Sequence, residues 1–550
     1  MWQLGGWRLS ARPRASLRSL RHLSTIGGAT RSAHRPGALG TRRRPTGETP
    51  VLGAPPEQVI TVQDLTLSKF SGFGPWIALA CLLAGSLGCS PAALDDPSRL
   101  NVLLITADDL GLQLSSYGDP VIETPNLDAL GSSGVLFEVA YVAQASCSPS
   151  RSAMFTGLYV HSNGQFGLTN ASDFSLHPHL HDATMPNILK RAGYRTGLIG
   201  KLHVDPLDSF LWDVRSPVDA RDVAAMASVA EGFMSGGPED PFFLMVNYTD
   251  PHAYRERDPQ TREVISDWTF VDQHEGIPTT LVEPSEKTVF PFQGIDTPEQ
   301  RKRVAGYYNE VLRVDAGVGM LLESLDRLGH ADDTLVILTG DHGPPFDRGK
   351  TTVYEAGLRV PFLVRWPGVS KPARSKAMVS TVDILPTILD ATGVPAAVEM
   401  QGMSLRPVLE DVQAPWREYL AGEFHMHGAP WFPRRAIRDT RHKLIHNLLA
   451  PTASPSIRID GDLGYLASRA EHYAGTPVRQ AFDTFANPPE FELYDLEADP
   501  WEFRNLADDP EHAEALRRLQ AALEEWRRET ADPLLDPAFV EEMRQRVDAY

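Results

Sequence analysis

From residue 101 the chain repeats one pattern: a short run of consecutive apolar residues, a polar cluster, then a stretch with helical spacing. Residues 101–106 (Asn-Val-Leu-Leu-Ile-Thr) form the first run, and similar runs recur at 196–199, 242–247, 334–338 and 361–364. A strand that is apolar on both faces is what a parallel sheet covered by helices on both sides demands. Residues 298–328 and 382–392 read as helices between such strands. Thr124-Pro125 followed by Asn-Leu-Asp-Ala-Leu reads as a short capped helix, with Pro at its first position and Gly131 past its end. Strands alternating with helices predict an α/β domain with a mostly parallel sheet over residues 100–410.

Beyond residue 410 the pattern changes. Residues 434–449 read as a hairpin of a smaller antiparallel sheet, and 491–496 as a further strand closed by the turn Glu497-Ala-Asp-Pro500. Residues 510–530 have Ala, Leu and Trp526 on one helical face and Glu and Arg on the other. A smaller α+β domain over 411–550, with an antiparallel sheet and a terminal helix, is therefore expected. There is no internal repeat.

The first 68 residues are rich in Arg, Ser, Gly and Pro without sustained periodicity. They read as a disordered extension or an over-long translated start, although no second Met precedes Met154 and a shorter product would need a non-Met start codon; a mitochondrial transit peptide shares the same bias. Residues 69–89 read as a signal peptide: Lys69, then an apolar core from Trp76 to Gly88 too short to span a bilayer. Cys89-Ser90 resembles a bacterial lipoprotein cleavage site, which implies export to the periplasm or a lipid anchor at Cys89.

Charge sharpens the picture. The net charge is −19, yet residues 1–69 hold 11 Lys and Arg against 3 Asp and Glu, leaving 41 against 68 in the rest. An acidic body excludes nucleic acid as a partner and requires a local basic pocket for any anionic substrate. Three cysteines, two of them in the leader, provide no disulfide framework.

Ligands of parallel sheets gather at the carboxyl ends of the strands, and the polar clusters of this chain fall there. They are Asp108-Asp109, Lys201 with His203, Asp250 with His252, and Asp341-His342. Adjacent carboxylates ionise together only if a cation compensates them, and oxygen ligands favour a hard ion; a helix cap or solvated turn is the blander reading. Lys201 and His203 fall on one side of an extended stretch, and Lys350 follows Asp341-His342 after a short loop. Each of these is ordinarily a solvated residue when taken alone.

Cys147 stands between two serines at the start of a short helical run, where a helix N-terminus and Arg151 would lower its pKa. The pentapeptide Cys147-Ser148-Pro149-Ser150-Arg151 resembles the Cys-x-Pro-Ser-Arg motif of the type I sulfatases, and the resemblance extends over residues 100–535. It implies an alkaline-phosphatase-like fold, and oxidation of Cys147 to formylglycine by a formylglycine-generating enzyme. It implies a Ca²⁺ ion held by Asp108, Asp109, Asp341, His342 and residue 147, with His342 binding through a neutral nitrogen. It also implies a sulfate pocket of Arg151, Lys201, His203, His252 and Lys350. In that family the formylglycine hydrate attacks sulfur, a general acid (His252 or Lys350 here) protonates the leaving group, and a base (His203) helps the aldehyde reform.

Within the family the chain looks most similar to the heparan N-sulfatase (sulfamidase) subgroup. The supporting stretches are His161–Gly164, Asp250–His252, Pro433–Arg438, Lys443–Asn447, Glu492–Asp495 with Asn505-Leu506, and Trp526–Pro533. It departs from that subgroup at His342, at Lys350 and across residues 425–435. The resemblance implies a small, terminal sulfated sugar as substrate, with Asp250, Arg434, Arg435 and His446 as lining residues. An acidic body repels polyanions over a Debye length of about 8–10 Å, which also favours one terminal sugar over a long sulfated polymer. Two alternatives stand beside this reading: a phosphomonoester or phosphonate hydrolase on the same fold, and a sulfated-glycan binder in which Cys147 stays unoxidised.

Overall fold

In a computed structural model of the protein, β1 (Asn101–Ala107) is buried along its whole length. The structure describes residues 99–548 apart from 238, 239, 257, 259, 262, 265, 266, 275, 276, 278, 279 and 458. The expected extension 1–68 and the leader 69–89, with Cys81 and Cys89, lie outside the described residues. Strand alternation sends the β1 side chains to two cores. Leu103 and Ile105 pack with the helices Val223–Met234 and Pro298–Leu328. Val102 and Leu104 pack with the helices Cys147–Thr156, Met185–Arg191 and Ile384–Thr392.

The remaining strands of this sheet are β2 (Val135–Tyr141), β3 (Arg195–Gly200), β4 (Val214–Ser216), β5 (Phe242–Tyr248), β6 (Thr334–Gly340), β7 (Phe362–Arg365) and β8 (Ala373–Ser380). Their order is β4-β3-β5-β1-β6-β7-β2-β8, and every pairing is parallel except those of β7 with β6 and with β2. The expected mostly parallel, helix-covered sheet is therefore present.

Its departures from the expectation have physical reasons. β2, β4 and β8 carry Glu138, Arg215 and Lys376, so they lack the continuous apolar signature of a strand buried on both faces. β7 is as apolar as its neighbours but antiparallel, because apolarity reports burial and not direction. The helix after Thr124 runs through Gly131 to Ser133 and stops at Gly134. Gly131 lies against Leu363 and Leu136, so close packing is its role rather than termination.

A second, antiparallel sheet contains β9 (Leu420–Phe424), β10 (Arg434–Arg438), β11 (His442–Asn447) and β12 (Phe491–Asp495), in the order β12-β11-β10-β9. One face packs Ile437, Leu444 and Leu493 against Leu519 and Leu523 of the helix Ala513–Glu529. The other sets Ala436, Ile445 and Tyr494 against Tyr141, Tyr354 and Leu358 of the large-sheet region.

At the centre of that joint lies a buried polar cluster. Glu355 accepts from Arg438 Nη1 at 2.8 Å, from Lys443 Nζ at 3.2 Å and from the Tyr141 hydroxyl, while its backbone N donates to Glu502 at 2.6 Å. Burial pushes the Glu355 carboxyl up, but Arg438, Lys443 and Arg359 outweigh it and hold it down to about 2, below its ordinary 4.5. A carboxyl depressed on folding contributes stability above pH 4.5, lost as the pH falls through 2. Glu355→Gln is expected to lower the unfolding free energy at neutral pH by about 3 kcal/mol, because it leaves two buried cations short of a partner. It should also flatten the acid limb of stability against pH, followed by urea unfolding; a profile superimposing on wild type would contradict this account.

Candidate active site

The strands β3, β5, β1 and β6 are adjacent and parallel, so their carboxyl ends share one edge of the sheet. Lys201 and His203 follow β3, Asp250 and His252 follow β5, Asp108 and Asp109 follow β1, and Asp341 and His342 follow β6. Antiparallel β7 separates β6 from β2, so β2 again points to this edge and delivers Cys147 as the first residue of the helix Cys147–Thr156.

The turns that carry these groups are strained. Asp109 (φ 68°) and His203 (φ 58°) occupy the left-handed region, which non-glycine residues seldom adopt. His203 therefore reaches the site through a left-handed turn, where an extended stretch was expected. Gly200 leaves β3 at φ 91°, where a Cβ would stand 2.1 Å from the Asn247 carbonyl oxygen.

Ligand atoms of Asp108, Asp109, Cys147 and His342 all lie within 4.8 Å of one another, and all four residues are buried. Cys147 Sγ is 3.4 Å from Asp108 Oδ1 and 3.3 Å from His342 Nε2. Asp341 joins them: its Oδ1 accepts from the Asp109 backbone N at 3.0 Å and lies 3.6 Å from His342 Nε2. Cations ring the cluster. Arg151 Nε donates to Asp341 Oδ2 at 2.9 Å, Lys201 pairs with Asp108, and Lys350 Nζ sits 2.9 Å from both Asp109 Oδ1 and Asp460 Oδ2.

Charge balance explains the titration behaviour. Burial raises the Asp108 carboxyl, yet Lys201, His252 and Arg151 bring it below its ordinary value despite the Cys147 thiolate. Burial prevails at Asp109, pushed up to about 6, and also raises Asp341. Burial disfavours charge on His342 and His252, but neighbouring anions prevail: Asp341, the Cys147 thiolate and Asp109 raise His342 to about 10, and Asp109 and Asp108 raise His252 to about 9. Burial likewise opposes ionisation of Cys147, whose thiol nonetheless falls well below its usual value through Lys201, Lys350 and His342. Arg151, expected to face the thiol, is turned to Asp341 instead.

Three buried carboxylates that the resident side chains compensate incompletely form a donor set suited to a cation. Two buried nitrogens of the site, Arg151 Nη2 and His203 Nδ1, have no hydrogen-bond partner among the described residues, and Arg151 Nη2 lies 3.8 Å from Asp108 Oδ2.

Four residues expected to line the pocket belong to the framework. Both carboxylate oxygens of Asp250 are taken, by Arg221 and by Arg313 Nε at 2.6 Å. Arg435 is fully buried and pairs with Asp532 at 2.8 Å and Glu423 at 3.5 Å. Arg434 is buried over the Phe432 ring, and His446 stacks on Phe491 with centroids 4.4 Å apart. Strand alternation predicts which residues share a face but cannot tell an ion-paired arginine from a ligand-binding one.

Two residues at the site were missed. Asp460 lies in an Ile-Asp-Gly-Asp run that reads as an ordinary turn, yet it reaches Lys350. His427 lies 2.9 Å from Ser146 Oγ, and burial together with Lys350 brings its pKa down to about 3.

Residues 100–394 match the sulfatase family, and residues 340–454 match the C-terminal region of N-sulphoglucosamine sulphohydrolase. The chain is 33% identical over 474 residues to N-sulphoglucosamine sulphohydrolase of Homo sapiens, covering 79% of this chain and 91% of that one. Its fold is similar to that of a protein solved in complex with its substrate D-glucosamine-2-N,6-O-disulfate (TM-score 0.59, 23% identity, covering 79% and 98%). It is also similar to that of a phosphonate monoester hydrolase from Agrobacterium radiobacter (TM-score 0.55, 21% identity, covering 78% and 96%). With the family matched over more than half of its length and so close a relative along most of it, the chain belongs to the sulfatases and is a sulfuric ester hydrolase.

Proposed function

We propose that the protein removes sulfate from a terminal sulfated amino sugar of the N-sulfoglucosamine kind, with Cys147 as the site of the nucleophile. The observation that carries this reading is the meeting of Cys147, three carboxylates and six cationic or imidazole side chains at one sheet edge. The human relative, 33% identical, supports the N-sulfated sugar.

Asp108, Asp109, Asp341 and His342, the last after giving up the proton that its anionic neighbours hold on it, would bind Ca²⁺, which would supply positive charge to the sulfate. Formylglycine made from Cys147 would supply an aldehyde hydrate with two hydroxyls, one to attack sulfur and one whose proton loss releases sulfate and restores the aldehyde.

The chain's own side chains do the rest. Arg151 Nη2, and His203 Nδ1 in the tautomer that carries its proton there, would donate to the sulfate oxygens, and Lys201 and Lys350 add charge beside Asp108 and Asp109. His252 Nδ1 donates to the Ala253 carbonyl at 2.6 Å, which directs Nε2 into the cavity. A proton on that Nε2 suits the departing nitrogen or oxygen as the bond from sulfur to the sugar breaks. Phosphonate hydrolysis is the second reading, favoured by the fold similarity alone.

Three outcomes test this function. Intact-mass analysis of the peptide containing residue 147 should show a mass about 18 Da below that of the cysteine form. Cys147→Ala should fold normally and lose turnover by at least about four orders of magnitude, as removal of a covalent nucleophile does. An unmodified peptide in an active enzyme would exclude formylglycine chemistry.

Elemental analysis should find one calcium per chain. Stripping the ion with a chelator should abolish activity and lower the melting temperature, with Ca²⁺ restoring both, because removal leaves buried carboxylates uncompensated. Full activity of the stripped protein would remove the metal from the mechanism.

Finally, glucosamine N-sulfate should be cleaved faster than glucosamine 6-O-sulfate, phosphate or phosphonate esters, or internal sulfates of intact heparan sulfate. A strict preference for any of these would replace the substrate assignment.

A further inference from the structure

Beside the Cys147 pocket runs a cleft of about 870 Å³ with two walls. One wall contains Arg255, Trp268 and Phe270; the other contains Asp460 and the exposed Leu463 and Leu466. Asp460 is common to the cleft and the site. Ligand atoms of Asp460, His252 and Asp109 lie within 4.8 Å of one another, and the Trp268 and His252 ring centroids are 6.1 Å apart.

The cleft is built rather than incidental. Arg303 ties both walls together, donating to the Trp268 carbonyl at 3.2 Å and the Asp460 carbonyl at 2.5 Å, with its guanidinium over Phe270. The Trp268 wall is further fixed by paired backbone bonds between Tyr254 and Thr269 at 2.6 and 2.7 Å. Val271 N donates to Glu310 at 2.6 Å, a carboxylate that also receives Arg221, which in turn holds the His252 carbonyl. One buried network therefore positions both the His252 loop and the aromatic wall. Arg255 lies over the Trp268 ring at 5.2 Å, and its Nε is buried without a partner.

We propose that this cleft receives the sugar ring whose sulfate enters the Cys147 pocket, and that it selects a ring without a second anionic group. The inference deepens the amino-sugar reading above and rests on it. The half-exposed indole of Trp268 suits the C–H face of a pyranose, and the Asp460 carboxylate accepts from ring hydroxyls beside the scissile bond. Acid predominates among the described residues that line the cleft, six acidic side chains against the three basic ones, Arg255, Lys302 and Arg303. A second sulfate or a uronate seated here meets like charge at close range.

Steady-state kinetics with glucosamine N-sulfate and its 2-N,6-O-disulfate provide the test. The wild type should prefer the monosulfated sugar by roughly tenfold or more in kcat/KM, and Asp460→Asn should narrow that preference. Trp268→Ala should raise KM on the order of tenfold while kcat and the inhibition constant of inorganic sulfate stay within about threefold, and Trp268→Phe should restore most of the loss. An unchanged KM in Trp268→Ala, or a wild-type preference for the disulfate, overturns the proposal. Calorimetric binding of both sugars to Cys147→Ala separates it from the function it rests on. Trp268-dependent binding without wild-type turnover defeats the hydrolytic assignment and keeps the cleft; turnover with Trp268-independent binding defeats the cleft alone.

Discussion

Mutual compensation of buried charge at one edge of the large sheet is the constraint on which the rest of the molecule depends. Asp108, Asp109 and Asp341 are fully buried, and an isolated carboxylate in such a place costs several kcal/mol. No single segment supplies the remedy. Arg151 comes from the helix after β2, Lys201 from the end of β3, and Lys350 from the loop after β6. The strand order β3-β5-β1-β6 is what brings those sources within reach of the same carboxylates. The fold thus places the charges, and Lys350 and His342 in turn hold Asp109 in its left-handed turn.

The second sheet does more than close the molecule. Its buried Glu355 joint with Arg438 and Lys443 fixes it against the loop that also carries Lys350. The connection from β9 to β10 sets His427 beside Ser146 just before Cys147, and the chain beyond β11 delivers Asp460 to Lys350. A pocket centred on strand ends of one sheet is completed by residues more than a hundred positions later.

Legibility in the sequence followed the range of the interactions. Apolar runs fixed β1, β3, β5 and β6, because a strand buried on both faces has no freedom to be polar, and Pro298 and Gly329 bracket the long helix where expected. The polar clusters after those strands could be placed for the same reason. What escaped depended on partners distant in sequence. Arg435 was indistinguishable from a ligand-binding arginine until Asp532 appeared beside it, 97 residues away. Asp250 resembled His252 in position but serves Arg221 and Arg313. Asp460 lay within a turn-like Asp-Gly run whose meaning depends wholly on Lys350.

Charge at different distances reconciles an acidic protein with an anionic substrate. Residues 70–550 carry 68 acidic against 41 basic side chains, a field that repels polyanions as they approach. That field is screened within about 8–10 Å, whereas Arg151, Lys201 and Lys350 act at contact distance in a site of low dielectric. A single sulfate that reaches the pocket therefore meets cations and unpartnered donors, while each further anion on the same ligand stays in the region the acidic rim controls.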